Sequence, residues 1–288
     1  MTAGRPGAGD PAAGGPAAGG PAAPIDGSGT DRARCVLAPN PGPMTLDGTN
    51  TWLVAEPGSA TAVVVDPGPD DAAHLRRVIA VAEQAGRRIA AIVLTHGHHD
   101  HSAGARTMAG LTGAGVRAVD VAHRLGSEGL PPGAVVSEGG SELEVVATPG
   151  HSADSVSLYL RGDRAVLTGD TVLGRGTAVI AEDGSLGDYL GSLGRLRALA
   201  DAADLRTLLP GHGPLLASPV TILDFYLTHR AERLAEIRAA LAAGDRTPKQ
   251  IVARVYAEVD RALWPYAESS VRAQLAYLGD LGELPHQT

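Results

Sequence analysis

Four side chains that could bind a metal lie close together in residues 95–101. The segment reads Thr-His-Gly-His-His-Asp-His, and it fits His-x-His-x-Asp-His with His96, His98, Asp100 and His101 at the fixed positions. Imidazole nitrogens and carboxylate oxygens are ligands that zinc prefers, at about 2.0–2.2 Å. Four ligands this close in the chain cannot close one tetrahedral site without strain, so their spacing predicts the beginning of two adjacent sites.

Three more candidate ligands each follow a predicted strand and have glycine beside them. They are His151 in Pro-Gly-His, Asp170 in Thr-Gly-Asp and His212 in Pro-Gly-His. Glycine lets the backbone approach a metal because it has no Cβ to clash. The alternative is that the cluster is only a solvated histidine-rich turn. That alternative would not explain why three further candidate ligands also follow predicted strands. We interpret His99 as a packing or supporting residue and not as a ligand.

Apolar runs predict the strands that position these side chains. Residues 89–94 are unbroken apolar sequence directly before the cluster, which predicts a strand buried on both faces. A helix is predicted after Asp70 or Asp71, either of which can cap it, and Gly86 should end it. Further strands are predicted at residues 51–54, 62–65, 116–121, 143–147, 156–160, 165–168 and 207–209, and a helix at 186–200. Strands and helices mixed in this order predict a layered α/β sandwich.

Composition divides the chain into three parts. Residues 1–30 are nearly all Gly, Ala and Pro, and such a segment cannot bury enough apolar surface to offset its ordering entropy, so we predict a disordered tail. Residues 31–218 form the predicted catalytic domain. Residues 219–288 carry a helical apolar stripe that includes Leu223, Leu227 and Leu234, and two more helices are expected near 248–258 and 268–278. We predict a small C-terminal helical domain there.

Charge and cysteine content limit the classes of function. The net charge of −8 gives no general attraction to a polyphosphate backbone, although a local basic groove remains possible. Cys35 is the single cysteine, so no disulfide can form within the chain, which suits a reducing compartment. No apolar stretch approaches the roughly 20 residues that span a bilayer, and the N-terminal sequence lacks the apolar core of a signal peptide. We therefore predict a cytoplasmic protein with no membrane partner.

The candidate ligands together resemble the metallo-β-lactamase superfamily, over about residues 34–218. The resemblance implies a four-layer αββα sandwich and a binuclear zinc site. It assigns His96, His98 and His151 to the first zinc and Asp100, His101 and His212 to the second, with Asp170 bridging both. It also implies that Asp66, which follows a predicted strand, does not bind the metal itself but orients a residue that does.

The same resemblance implies hydrolysis by a metal-bridging hydroxide, which attacks an electrophilic carbonyl or phosphorus. Asp100 could also orient this nucleophile or accept a proton, so we count it as a candidate catalytic residue. Asp170 stands where zinc β-lactamases tend to carry Cys or Ser, which argues against antibiotic hydrolysis. Thioester hydrolases similar to glyoxalase II and phosphodiesterases similar to the ribonuclease members remain.

A second resemblance covers nearly the whole chain beyond the tail. Residues 40–51 and 172–177 look like segments of the beta-lactamase-like protein 2 group, and the C-terminal sequence around His229-Arg230 resembles the winged-helix module of its bacterial members. Animal members of the group act as endoribonucleases on single-stranded RNA. Fungal relatives release polyketides from carrier-protein thioesters. The resemblance therefore leaves the substrate open between RNA and a small molecule.

Three functions follow, in this order. An endoribonuclease on single-stranded RNA comes first because of the winged-helix-like domain, with Arg230 and Arg233 as candidate phosphate contacts on one helix face. The alternative for these arginines is ion pairing or packing, and residues 219–288 carry eight Lys and Arg against nine Asp and Glu. A thioester or small-ester hydrolase is second. A non-catalytic, zinc-sensing winged-helix regulator is third. The helical domain could also pack on the core or mediate a homodimer.

Overall fold

Two β sheets and seven helices make up the part of the chain that the computed structural model describes, residues 24–180 and 183–284. The strands are β1 Ala33–Leu37, β2 Asn50–Val54, β3 Thr61–Val65, β4 Arg88–Val93, β5 Gly115–Arg117, β6 Val135–Val136, β7 Leu143–Ala147, β8 Val156–Leu160, β9 Ala165–Gly169, β10 Thr207–Pro210 and β11 Leu216–Ala217. The helices are α1 Ala72–Gln84, α2 His99–Ser102, α3 Ala105–Thr112, α4 Leu186–Ala202, α5 Pro219–Ala242, α6 Pro248–Val255 and α7 Trp264–Asp280.

The first sheet has the strand order β1-β2-β3-β4-β5 and the second β11-β10-β9-β8-β7-β6. In the first sheet β1, β2 and β3 pair antiparallel, whereas β3, β4 and β5 are parallel. In the second sheet only the β9–β10 pair is parallel. Because β4, β9 and β10 are joined to parallel neighbours, their carboxyl ends lie at one edge of the sandwich, where loops can present side chains together.

Three apolar clusters fill the spaces between four layers. One joins the inner faces of the two sheets, with Trp52 and Leu167 among its members. A second joins the first sheet to α1 and α3 through residues such as Leu75 and Met108. The third joins the second sheet to α4 and the C-terminal helices. The predicted αββα sandwich with a C-terminal helical addition is confirmed.

The C-terminal helices share the third cluster with the main domain. Leu193 of α4, Tyr226 of α5 and Ile251 of α6 all belong to it, and each is almost fully buried. Helix α6 begins with a capping box in which Thr247 and Gln250 satisfy each other's backbone amides. Residues 219–284 therefore form one wall of the structure and do not have a separate core. No described helix has the length and apolarity that crossing a membrane requires.

Most predicted elements are present with small differences in their ends. Asp71 caps α1 by accepting a hydrogen bond from the His74 amide, as expected of one of the two candidates. The strand predicted at 116–121 is wrong beyond Arg117. Asp120 accepts a hydrogen bond from the Ala122 amide and starts a 3-10 turn, and Val121 is 72% exposed, which a buried strand would not allow.

The predicted tail needs a correction at its end. Residues 1–23 lie outside the described residues, but residues 24–30 contact the domain. The Gly27 amide donates to the Cys35 carbonyl at 2.9 Å, and Thr30 Oγ1 donates to Asp163 Oδ2 at 2.5 Å. Ile25 packs against the cluster between the sheets. The composition of residues 24–30 differs from that of the Gly/Ala/Pro repeats because Ile25, Asp26 and Thr30 supply apolar and hydrogen-bonding groups.

Candidate metal centre

The seven predicted ligands come from four loops that follow strands. The cluster follows β4, His151 follows β7, Asp170 follows β9 and His212 follows β10. Short helix α2 then turns Asp100 and His101 back towards the site. The structure thus brings together residues that are more than 100 positions apart in the chain.

The first group of ligands contains His96, His98 and His151, whose candidate donor atoms lie within 4.8 Å of one another. His98 Nδ1 is 3.1 Å from His96 Nε2 and 3.0 Å from His151 Nε2. Tetrahedral zinc–nitrogen bonds of about 2.05 Å would separate two ligand nitrogens by about 3.3 Å. The three nitrogens are therefore spaced as one metal ion requires.

The second group contains Asp100, His101 and His212, again with donor atoms within 4.8 Å. His212 Nε2 lies 3.1 Å from His101 Nε2 and 3.2 Å from Asp100 Oδ2. His101 and His212 are fully buried, whereas the side chain of Asp100 is 31% exposed. The second group is therefore accessible to solvent on the side where Asp100 lies.

Asp170 lies between the two groups. Its Oδ2 is 3.7 Å from Nε2 of His151 in the first group and 3.4 Å from Nε2 of His212 in the second. Its Oδ1 is buried without a hydrogen-bond partner among the described residues. A carboxylate in this position can bind two ions at once, which is the role that the sequence resemblance assigns to it.

The hydrogen bonds of three histidines fix which ring nitrogen faces the site. His151 Nδ1 is 2.6 Å from the Val179 carbonyl, His212 Nδ1 is 3.1 Å from the Gly48 carbonyl, and His101 Nδ1 is 2.9 Å from a carboxylate oxygen of Asp66. Carbonyl and carboxylate oxygens only accept, so each Nδ1 must carry the proton. A metal ion at the site would therefore meet Nε2 of each ring, and it would bind the lone pair of that nitrogen in place of a second proton.

This arrangement needs a cation. The Nε2 atoms of His101 and His212 face each other at 3.1 Å, and two lone pairs at that distance repel unless a positive charge lies between them. Burial opposes protonation of His101, but the Asp170 and Asp66 carboxylates outweigh it and raise the pKa of this histidine well above its usual value. Burial also opposes protonation of His212, and Asp170 with Asp100 nonetheless raises its pKa to about 9. The residues therefore fit a site for positive ions.

The two groups differ in their electrostatics. Burial, followed by the nearby His101, holds the pKa of His96 well below its usual value, so this ring remains a neutral donor. Burial works against ionisation of Asp170, but His212 and His101 hold the pKa of this carboxyl well below its usual range. Burial also lowers the pKa of His151, so His96 and His151 of the first group favour the neutral form, whereas the candidate carboxylate ligands Asp100 and Asp170 lie next to His212 of the second.

Asp66 belongs to neither group of candidate ligands but holds His101 in place through a hydrogen bond. Its carboxylate accepts hydrogen bonds from the amide and hydroxyl of Thr95, both at 2.7 Å, in addition to the bond from His101. It is 1% exposed, and its φ of 53° is unusual for a residue other than glycine. Three satisfied hydrogen bonds hold this strained backbone in place. The predicted supporting position of Asp66 agrees with the structure.

Glycine beside the ligands has the steric role that the sequence suggested. A Cβ on Gly211 would lie 2.6 Å from Asp170 Oδ1 and 2.7 Å from a ring carbon of His101. A side chain at this position would therefore displace two candidate ligands, His101 of the second group and Asp170 between the groups. His99, in contrast, is exposed on α2 and does not pack into the site.

The ligands open into a pocket that continues towards the C-terminal helices. We call the opening the ligand mouth, which is lined by His98, Asp100, His151 and Asp170 with Met44 and Val179. We call the space beyond it the deep pocket, which contains about 920 Å³ of space including its open side. The deep pocket shares Met44, His151, Asp170 and Val179 with the mouth and is also lined by Arg230, Arg233, Tyr256 and Tyr266.

Several residues of the site were not identified from the sequence. Asn50 Nδ2 donates to the carbonyls of Pro210 and Gly213, at 2.9 and 2.8 Å, and so holds the turn that carries His212. The Tyr226 hydroxyl accepts from the Leu173 amide and donates to a carbonyl of the same loop, which ties the pocket edge to α5. In the sequence, residues 40–51 and 172–177 were recognised only as segments that resemble a known group, and no role was assigned to their side chains.

Family models match both parts of this structure. The model described as "Metallo-beta-lactamase superfamily" matches residues 44–212, and one described as "Beta-lactamase associated winged helix domain" matches residues 247–283. The chain belongs to the metallo-β-lactamase superfamily and is a metal-dependent hydrolase with the associated winged helix domain. The resemblance found in the sequence is confirmed.

The chain is also similar to individual proteins. The chain is 32% identical over 268 residues to the "Beta-lactamase-like protein 2 homolog" of Caenorhabditis elegans, which covers 89% of this chain and 88% of that protein. It is 32% identical over 211 residues to "Atrochrysone carboxyl ACP thioesterase" of Aspergillus fumigatus, covering 72% and 64%. A β-lactamase domain protein from Burkholderia ambifaria has a similar fold, with a TM-score of 0.73, 23% identity and 88% coverage of both chains.

Proposed function

We propose that the protein is a binuclear zinc hydrolase of thioesters or other small esters. The observation that carries this proposal is the deep pocket, which begins at the ligand mouth and is closed by the C-terminal helices. A concave, partly apolar pocket beside the candidate metal ligands suits a small molecule or an acyl chain. The substrate would lie in the deep pocket with its ester group at the mouth.

The seven ligands would hold the metal in two sets. In this proposal His96, His98 and His151 hold one zinc ion and Asp100, His101 and His212 hold the other, with Asp170 bridging. Bound zinc makes water nucleophilic at neutral pH and polarises a carbonyl oxygen. The exposed side of Asp100 faces the mouth, where its carboxylate can orient a water molecule or accept a proton.

The positions of two arginines favour a small ester over RNA. Arg230 and Arg233 were the candidate phosphate contacts, but they are only 4% and 7% exposed and line the deep pocket instead of an open groove. Binding of single-stranded RNA needs a basic groove that tracks its backbone. The relative named as a carrier-protein thioesterase also supports this choice.

An endoribonuclease is the second candidate. The observation in its favour is the match to a winged helix domain, because this type of domain often binds nucleic acid. The arginines that this function would use on the surface are turned inward, so we place it after ester hydrolysis.

A substrate screen on purified, zinc-loaded protein tests the proposal. We expect release of thiol from an acyl thioester, with little cleavage of single-stranded RNA or a β-lactam. Asp170→Asn prepared in the same way should be inactive, whereas Asp71→Asn, which keeps the cap of α1 and belongs to neither ligand group nor the ligand mouth, should retain activity. Rapid RNA cleavage at low salt without thioester hydrolysis would reverse the order of the two candidates.

A further inference from the structure

We propose that Arg230 and Arg233 form an anion-binding subsite in the wall of the deep pocket and so select substrates that carry a carboxylate or phosphate. The inference extends the proposed function and rests on it for the identity of the reacting group. Both arginines lie on α5, three residues apart, and both line the deep pocket that begins at the ligand mouth.

Arg230 is a buried cation without an anionic partner among the described residues. Its side chain donates to the carbonyl of Ala178, and its Nε is buried with no hydrogen-bond partner in the described part of the chain. No carboxylate of residues 24–180 or 183–284 lies within salt-bridge distance of it. Burying an unpaired charge is costly unless a ligand compensates for it. The unfilled hydrogen bond therefore points to an anion supplied from outside the chain.

Arg233 is also available to a ligand. Its one carboxylate contact in the described structure is Glu236 at 2.7 Å, and the side chain of Glu236 is 46% exposed, so this pair is weakened by solvent. The guanidinium group of Arg233 lies over the ring of Tyr256, with 4.7 Å to the centroid. Stacking occupies one face of the cation and leaves its edge donors for a second partner.

Aromatic rings hold both cations in place. The guanidinium carbon of Arg230 lies 4.8 Å from the ring centroid of Tyr189, whose hydroxyl donates to the Thr171 carbonyl next to Asp170. The arginine, the tyrosine and the ligand loop are therefore linked through a chain of direct contacts. A guanidinium group fixed in this way is ready to bind an anion with little loss of side-chain entropy.

The rest of the pocket is electrostatically suited to an anion. Among the described residues that line the deep pocket, Asp170 is the one acidic side chain, and the proposed metal ions would neutralise it. Arg175 lines the pocket as well and is paired with Asp47. His229 also lines the pocket, and burial, followed by the charges of Arg230 and Arg233, lowers its pKa to about 4.

Three matched series of probes test the subsite. The first is an S-phenyl monothioester of a straight-chain dicarboxylic acid, made in increasing chain lengths, and the second has a carboxamide in place of the free carboxylate. A third series carries a terminal phosphate. We expect the protein to prefer one anionic series by roughly 10- to 100-fold in kcat/KM, mainly through KM, which is the size of a lost hydrogen bond to a charged group.

Substitutions of the two arginines test whether they cause this preference for an anionic substrate. In Arg230→Met and Arg233→Met, the ratio of kcat/KM for the anionic probe to kcat/KM for the carboxamide probe should fall towards one, and Arg230→Lys should recover part of this ratio. Arg238→Met is the matched control, because Arg238 lies on the same helix but pairs with Glu283 outside the pocket. Equal loss for the charged and neutral probes would show that the arginines are structural, and an unchanged preference in both variants would overturn the subsite.

Direct binding separates this inference from the proposed reaction. Calorimetry on zinc-loaded protein compares inorganic phosphate and a dicarboxylate between the wild type and the double variant Arg230→Met/Arg233→Met. Anion binding to zinc is common to both proteins, so the difference reports the arginines. If no thioester is hydrolysed but the wild type binds the anion roughly 10-fold more tightly, the reaction is wrong and the subsite stands. Equal binding by both proteins overturns the subsite whatever the reaction.

Discussion

Asp66 Oδ2 and His101 Nδ1 lie 2.9 Å apart in the fully buried base of the site. The contact determines which nitrogen of His101 carries the proton and turns its Nε2 towards His212. The same carboxylate receives both hydrogen bonds from Thr95, the residue before the histidine cluster. One carboxylate thus connects the end of β4 with a candidate ligand of the second group.

The first prediction concerns this contact. Asp66→Asn keeps the shape and an acceptor for Thr95 but loses the negative charge that supports His101. We expect zinc affinity to fall roughly 10- to 100-fold, as is typical when the partner of a ligand is changed. Competition with a chromophoric chelator measures the affinity, and Asp71→Asn serves as the control outside the site. An affinity equal to wild type in Asp66→Asn would contradict the supporting role of Asp66.

The second prediction is a metal content of two zinc ions per chain. The ligand atoms form two groups with Asp170 between them, so the ions should fill two distinct sites. Elemental analysis after gently adding zinc and removing the excess gives the number. A value that stays at one under saturating zinc would rule out the binuclear arrangement.

The third prediction concerns Asp170→Ala. Because Asp170 approaches both groups, its loss should reduce turnover by roughly 100- to 1,000-fold, which corresponds to several kcal/mol of lost transition-state stabilisation. Folding should be affected much less, since the sandwich packs through its apolar clusters. Turnover and melting temperature are measured on the same preparation, with its zinc content known. Near-normal turnover with any confirmed substrate would exclude a bridging role.

The ligand set could be predicted from sequence because its signals are local. The histidine cluster directly follows a strand-like run, and each of His151, Asp170 and His212 follows such a run with glycine next to it, so the chain itself marks the turns. The tautomers could not be predicted in the same way. They depend on the carbonyls of Val179 and Gly48, which are 28 and 164 positions from His151 and His212 in the chain and meet them only in the folded structure.

The directions of Arg230 and Arg233 could not be predicted for a similar reason. Spacing places both on one face of a helix, but that face is buried because α5 docks against α4 and the loop before it.

Strand β1 was also not predicted from the sequence. Its five residues include exposed Arg34 and buried Cys35, a pattern too short to separate from a loop until β2 pairs with it.

The fourth prediction concerns the N-terminal boundary. Removing residues 1–23 should leave activity and melting temperature unchanged, because their composition gives no packed core. Removing residues 1–30 also deletes the Thr30 hydrogen bond to Asp163 and the contacts of Gly27 with β1, which should lower the free energy of unfolding by about 1–3 kcal/mol. Thermal melts of the two truncated proteins make the comparison. Identical melting temperatures would show that residues 24–30 contribute nothing to stability.

The fifth prediction concerns pH and His229, which lies in the wall of the deep pocket. Its pKa is lowered from 6.5 to about 4 by burial and then by the nearby charges of Arg230 and Arg233. The unfolded chain therefore binds this proton at a higher pH than the folded protein does. Between about pH 6.5 and pH 4 the unfolded state holds more protons, so His229 makes the folded protein lose stability as the pH falls through that range.

The measurement compares unfolding of the wild type and His229→Asn across the same pH range. Acid will also displace zinc from both proteins, so only the difference between the two curves is informative. We expect the curves to diverge below about pH 6.5, with the wild type losing more stability than the variant. Parallel curves down to pH 4 would show that the histidine titrates alike in both states, which would contradict the lowered pKa of His229 in the folded protein.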